Sequence, residues 1–223
     1  MKMKELFDRG EFVVSAEVGP PKGIHVDELV EEAKTYLKGV HAVNVTDNQS
    51  SVMRLGSLAM CKVLKDAGMD PIFQLACRDR NRIALESDLL SAAMFGIENI
   101  LCLTGDHTKM GDHPQAKPVF DLDSVSLLHT VKLLESGVDL GGNELVGEPP
   151  KFSKGAVVSP CSDSVDAQLA KMEEKLQQVQ ITSRHRLYLS RRKFIKFMEK
   201  QNSYGKPVHV GVSIIPKSVG MVR

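Results

Sequence analysis

Apolar and polar positions follow one another along the chain in a regular succession of strand-like and helix-like segments. Short apolar runs rich in β-branched residues predict strands at 12–17, 42–45, 70–75, 99–103, 156–159 and 208–212. Between them, apolar residues recur at helical spacing and predict helices at 26–37, 52–67, 81–95, 124–135, 165–178 and 194–200. This succession indicates a parallel sheet, because parallel strands need helical crossover connections.

Two parallel folds compete, the (β/α)8 TIM barrel and the open doubly wound sheet. The doubly wound sheet usually carries a glycine-rich phosphate turn after its first strand, but here that strand ends in Glu17 followed by Val-Gly-Pro-Pro. Polar residues instead recur at the carboxyl ends of successive strands, where a barrel builds its active site. These are Glu17, Thr46, Asp47, Asn48, Gln74 and Asp106. The pattern favours the barrel.

The length of the chain predicts one domain that is incomplete at its carboxyl end. A (β/α)8 barrel typically needs about 250 residues, and this chain has 223. We therefore expect a single domain over 1–223, truncated after the seventh strand. An open strand edge then needs either more chain or a partner to cover it.

Composition excludes several classes of protein. The 29 Lys and Arg residues nearly balance the 28 Asp and Glu residues, so no overall charge favours nucleic acid or an anionic membrane. No signal peptide or membrane span is visible. The four cysteines never form CxxC and the seven histidines do not cluster at ligand spacing, so we expect neither disulfides nor a metal site. These features predict a reduced, cytoplasmic protein.

Two strand-end carboxylates could carry chemistry. Glu17 precedes two prolines that make its strand exit rigid, which suits a general acid, although an ordinary salt bridge is the simpler interpretation. Asp106 follows Gly105, which permits close backbone approach to a ligand, but this aspartate could also cap the next turn.

The arginines after the third strand leave two alternatives open. Arg78 and Arg80 could bind phosphate near a helix N-terminus, or they could be surface residues beside a helix cap formed by Asp79 or Asn81.

Five motifs, in this order and spacing, resemble the methylenetetrahydrofolate reductase family. They are SAEVGPPKG from Ser15, VNVTDNQSS from Val43, PIFQLACRDRN from Pro71, GIENILCLTGDH from Gly96, and GAVVSP from Gly155 followed by KMEEK from Lys171. The resemblance covers about residues 12–175. It implies an eight-stranded barrel that holds FAD at the carboxyl ends of its strands.

The resemblance also implies a reaction in one-carbon and methionine metabolism. NAD(P)H, or another donor, reduces the flavin, which then passes hydride to methylenetetrahydrofolate and yields methyltetrahydrofolate. Glu17 stands at the position of the family's general acid, and Asp106 stands at an aspartate beside flavin and pterin.

Cofactor contacts are implied in the same way for Thr46, Gln74, Gly105, Asp106, Ser159 and Lys175. Gln74 replaces a common histidine, Thr104 a common arginine and Ser159 a common tyrosine. These departures resemble a branch from anaerobic one-carbon pathways, for which a partner subunit, or a homo-oligomer, and donors other than NADH are alternatives.

Residues 179–192 depart from the family pattern, which has an apolar strand ending in Thr-Gln with the folate-contacting glutamine at Arg186. Basic residues crowd this segment without aromatic partners, so nucleic-acid binding is the weakest of three explanations. The second explanation is true divergence. The third, which we favour, is a compensated reading-frame slip, because allowed codons for 180–188 read in another frame encode Asp-Tyr-Phe-Gln-Thr-Gln-Ala-Val.

A non-catalytic flavin- or pterin-binding subunit that needs a partner is therefore the alternative to an active enzyme.

Overall fold

The computed structural model describes residues 3–158, 165–178, 182–185, 195, 197–200 and 209–212. It divides into two compact units, Met1–Lys154 and Gly155–Arg223, each of which is described by itself. In both units parallel strands alternate with helices. This is the α/β architecture that the hydrophobic pattern predicts, and it is compatible with a TIM-barrel-like fold.

The first unit contains four parallel strands in chain order and the helices between them. The strands are β1 (Ser15–Val18), β2 (Ala42–Val45), β3 (Pro71–Ala76) and β4 (Asn99–Leu103). The helices are α1 (Met3–Asp8), α2 (Asp27–Tyr36), α3 (Ser57–Asp66), α4 (Arg82–Met94) and α5 (Ser124–Glu135). Every residue of β2 and β3 is buried, as expected for strands covered on both faces.

Side-chain caps and apolar helix faces explain why these helices form where they do. Asn81 accepts a hydrogen bond from the Ala84 N–H at the start of α4, which confirms Asn81 as the cap. Asp123 accepts from the N–H groups of Val125 and Ser126 at the start of α5. The buried faces of α3, α4 and α5 then cover the sheet with Met60, Leu64, Leu85, Leu89, Leu127, Val131 and Leu134.

The second unit contains three parallel strands in the order β5-β6-β7. Strand β5 is Ser153–Val158, which begins in the first unit, β6 is Thr182–His185 and β7 is His209–Val212. Helix α6 (Val165–Gln178) follows β5, and 197–200 are helical. Leu169, Met172 and Phe197 form a small buried cluster. None of the helices in the described residues is long and apolar enough to cross a membrane.

Three predicted boundaries were wrong. The first strand begins at Ser15 rather than at 12, because Phe12 is 87% exposed and does not pack on the sheet. The helix predicted from 52 begins at Ser57, because a short 3₁₀ turn at Gln49–Ser51 and an extended segment precede it. Strand β5 begins at Ser153 rather than 156. The pattern also missed α1, although its buried Met3 and Leu6 are spaced for one helix face.

Candidate active site

The carboxyl ends of the four strands in the first unit meet at one edge of their sheet. The register pairs Val18 with Val45, Val45 with Phe73, and Ala76 with Leu103. The loops that follow these strands therefore start side by side. They carry most of the polar residues singled out in the sequence.

The polar residues of these strands share one face of the sheet, here called the polar face, and the opposite face is apolar. Register partners lie on the same face, and so do residues two apart along a strand. Glu17 pairs with Asn44, Asn44 with Ile72 and Ile72 with Asn99, and Gln74 lies two residues beyond Ile72. Glu17, Asn44, Gln74 and Asn99 therefore share a face. The opposite face carries Val43, Val45, Phe73, Leu75, Ile100 and Cys102.

The sequence interpretation missed Asn44 and Asn99 on the polar face. Both are buried, and Asn44 Nδ2 donates to Ser15 Oγ at 3.3 Å while Asn99 Nδ2 donates to the Pro71 carbonyl at 3.3 Å. Counting back two residues from Thr46 would have found Asn44, whereas Asn99 follows only from the register of β4 against β3. Both amides have partners within the sheet, as buried polar groups usually do.

Thr46 continues the polar face beyond β2, since its N–H donates to the Val18 carbonyl at 3.2 Å. The residue is 3% exposed, and its Oγ1 has no hydrogen-bond partner among the described residues. Gly19 leaves the neighbouring space open, because a Cβ there would lie 3.7 Å from Thr46 Oγ1. A buried hydroxyl without a partner is costly, so a bound molecule that supplied one would be favoured here.

Gly105 brings the loop after β4 against the end of β3. Its φ of +92° favours glycine, and a Cβ would lie only 3.0 Å from Arg78 Cβ and 3.4 Å from Ala76 Cβ. The next residue, Asp106, is exposed, while its backbone carbonyl lies 3.0 Å from Ser51 Oγ and 3.4 Å from Arg78 Nη1. The glycine thus allows the close approach that sets the position of Asp106.

Neither alternative for the two arginines fits the structure. The Arg78 side chain is 3% exposed and binds Asp79, and the Arg80 side chain is 17% exposed and binds Asp47 and Asp88. Internal carboxylates therefore neutralise both, so they are neither free phosphate ligands nor surface residues. The Asp47 side chain is fully buried and also accepts a hydrogen bond from the Ala76 N–H at 2.9 Å. This bond links the end of β2 to the end of β3.

Electrostatics hold this network in its charged form. The hydrogen bonds that Arg78 donates to Asp79, together with the charges of Asp79, Asp47 and Asp106, raise the pKa of Arg78. Burial acts to raise the pKa of Asp79, but the hydrogen bond and charge of Arg78 outweigh it and lower that pKa. Burial raises the pKa of Asp88 despite the opposing effect of Arg80.

The structure brings together five of the seven predicted site residues at or near one sheet edge of the first unit. These are Glu17, Thr46, Gln74, Gly105 and Asp106. Ser159 lies outside the described residues, and Lys175 lies in α6 of the second unit.

Parallel strands joined by helices, with polar residues at their carboxyl ends, define an α/β protein that is compatible with a TIM-barrel-like fold. The methylenetetrahydrofolate reductase family matches residues 2–220, nearly the whole chain, and the chain belongs to that family. Membership supports an oxidoreductase of this family and implies a folate substrate.

Other comparisons are less informative. Among solved structures, a protein from Streptococcus agalactiae described as the copper homeostasis protein CutC is 13% identical, with a TM-score of 0.37 over 90% of this chain and 98% of that chain. A search of curated proteins gives no match.

Proposed function

We propose that this protein reduces 5,10-methylenetetrahydrofolate to 5-methyltetrahydrofolate on a bound FAD, with NAD(P)H or another reductant as the electron source. Family membership supports the reaction class. The observation that supports the cofactor at this edge of the sheet is buried Thr46, whose Oγ1 has no partner in the part of the chain that the structure describes.

The donor groups present fit a flavin. Thr46 would offer its hydroxyl, Gln74 its amide and Gly105 a backbone that a ligand can approach closely. Asp106 would accept hydrogen bonds from an N–H of the flavin or the pterin. The contacts that the resemblance implies for Ser159 and Lys175 stay predictions.

FAD, when bound, supplies hydride transfer, and the protein supplies position and a proton. Glu17 would protonate the ring nitrogen of methylenetetrahydrofolate as the five-membered ring opens, which leaves an iminium carbon to receive the hydride. The two prolines just beyond β1 support this role, because they fix the backbone that follows Glu17. Asp106 would orient the pterin.

The test is the change Glu17→Gln in the FAD-loaded full chain. We expect loss of methyltetrahydrofolate oxidation by an artificial acceptor, while FAD remains bound and NAD(P)H still reduces it. Glu28→Gln is the matched control, since it makes the same change on the exposed side of α2. If the Glu17→Gln variant still turns over folate, Glu17 is not the general acid.

A second candidate is a flavin- or pterin-binding subunit that needs a partner for turnover. It is favoured by β6, which carries Thr, Ser, Arg and His where the resemblance implies an apolar strand ending in Thr-Gln. Gel filtration with flavin absorbance separates the two candidates. Flavin bound without folate turnover by the chain alone, restored by a partner, would favour the subunit.

A further inference from the structure

The guanidinium of Arg78 has a partner for every N–H it carries. Nε and Nη2 donate to Asp79 at 2.8 and 2.6 Å, and Nη2 also donates to the Asn48 carbonyl at 3.2 Å. Nη1 donates to Ser51 Oγ at 3.1 Å and to the Asp106 carbonyl at 3.4 Å. A guanidinium has five N–H donors, and these are five hydrogen bonds. All of the donors of Arg78 are therefore used within the protein, and none is left for a ligand.

These contacts join Arg78 to two loops that also contact each other directly. Asn48 and Ser51 lie in the turn after β2, where their φ values are +43° and +61°. Asp106 lies in the loop after β4, and Ser51 Oγ is 3.0 and 3.1 Å from the carbonyls of Asp106 and His107. Left-handed backbone at non-glycine residues persists only where surrounding contacts hold it. Arg78, just beyond the end of β3, supplies two of those contacts, to the Asn48 carbonyl and to Ser51 Oγ.

The packing leaves little freedom for Asp106 itself. Gly105 lies against the Arg78 side chain, and a Cβ there would be 3.0 Å from Arg78 Cβ. Asp106 is exposed, but its backbone carbonyl accepts hydrogen bonds from both Arg78 and Ser51.

We propose that Arg78 is a positioning residue that sets the backbone of Asp106, and through it the orientation of the Asp106 carboxylate toward the pterin. The role of Asp106 in this inference rests on the proposed function, whereas the loop geometry does not depend on it. Lysine keeps the positive charge but replaces the planar guanidinium with a single ammonium group. A lysine at this position therefore cannot hydrogen-bond to both loops and to Asp79 at the same time.

The experiment is a double-mutant cycle on the FAD-loaded full chain with Arg78→Lys, Asp106→Asn and the pair. We expect Arg78→Lys to lower kcat for the folate half-reaction about 10- to 100-fold, because small misplacements of a reacting group have effects of that order. In the Asp106→Asn background the same change should lower kcat less than about 3-fold, since coupled residues are not additive. Arg80→Lys is the control, because Arg80 pairs with Asp47 and Asp88 and has no described bond to Asp106. The fold-decreases in kcat caused by Arg80→Lys and by Asp106→Asn should multiply in the double variant.

A second measurement does not depend on turnover. Amide hydrogen exchange of the FAD-free chain should become faster at 104–112 in Arg78→Lys, and stay unchanged at 124–135 in α5. Unchanged exchange at 104–112, a uniform rise across the unit, or multiplicative effects in the cycle would each overturn the positioning role. If the wild-type chain shows no folate turnover, the proposed function fails, and exchange at 104–112 alone decides whether Arg78 holds the loop.

Discussion

Replacing Thr46 by valine should change stability and cofactor affinity in opposite directions. Valine has nearly the same shape as threonine and differs by a methyl in place of the hydroxyl. The Thr46 hydroxyl is buried and partnerless among the described residues, so its removal relieves a desolvation penalty of about 1–3 kcal/mol. We expect the FAD-free chain to gain about 1–2 kcal/mol in its free energy of unfolding, or roughly 3–6 °C in Tm at this chain length.

The FAD-bound protein should respond in the other direction. If the cofactor supplies the missing partner, Thr46→Val loses one hydrogen bond worth about 1 kcal/mol, which weakens Kd for FAD roughly 5-fold. The assay is urea denaturation of the FAD-free chain followed by fluorescence titration with FAD.

Thr130→Val provides the matched control. Thr130 is equally buried, but its Oγ1 donates to the Ser126 carbonyl at 2.9 Å. This variant should lose about 0.5–1.5 kcal/mol of stability and keep its FAD affinity. If Thr46→Val destabilises the FAD-free chain as Thr130→Val does, the hydroxyl is satisfied and the argument fails. An unchanged Kd for FAD would remove Thr46 from the cofactor site.

Two further predictions concern the loop after β4 and the start of α4. Gly105→Ala should lower the free energy of unfolding more than Gly142→Ala. Both glycines have positive φ (+92° and +83°), but of the two only Gly105 has neighbours within 4 Å of a new Cβ. Equal losses of stability in urea denaturation would exclude the contact with Arg78. The hydrogen bonds from Arg82 lower the pKa of Asp121 from 3.8 to about 2, so the stability this carboxylate contributes is complete above pH 3.8 and is lost as the pH falls toward 2. The Tm difference between wild type and Asp121→Asn should therefore shrink over that interval, and a constant difference would contradict the assignment.

Local pattern predicted the bounds of four elements. The bounds of β2, β4, α5 and α6 agree with the sequence prediction. In each of the two strands a short apolar run coincides with a buried strand, and α5 begins at a side-chain cap. The carboxyl-end polar residues followed from the same pattern, since parallel strands bring those ends together.

The side-chain network of the site could not be predicted in this way. Arg78 and Arg80 look like exposed residues of a loop, because a sequence shows charge but not the partners that neutralise it. The left-handed turn at Asn48 and Ser51 depends on contacts from β3 and from the loop after β4, which are distant in sequence. The partnerless hydroxyl of Thr46 likewise emerges only when its neighbours are known.

The central claim is that this site binds FAD and exchanges hydride with a folate. The most direct measurement is the absorbance of the FAD-loaded 223-residue chain during anaerobic addition of methyltetrahydrofolate. We expect the flavin band to bleach with methyltetrahydrofolate and to stay unchanged with tetrahydrofolate, which has no methyl group to oxidise. A band that persists with methyltetrahydrofolate while FAD remains bound would contradict the proposed function.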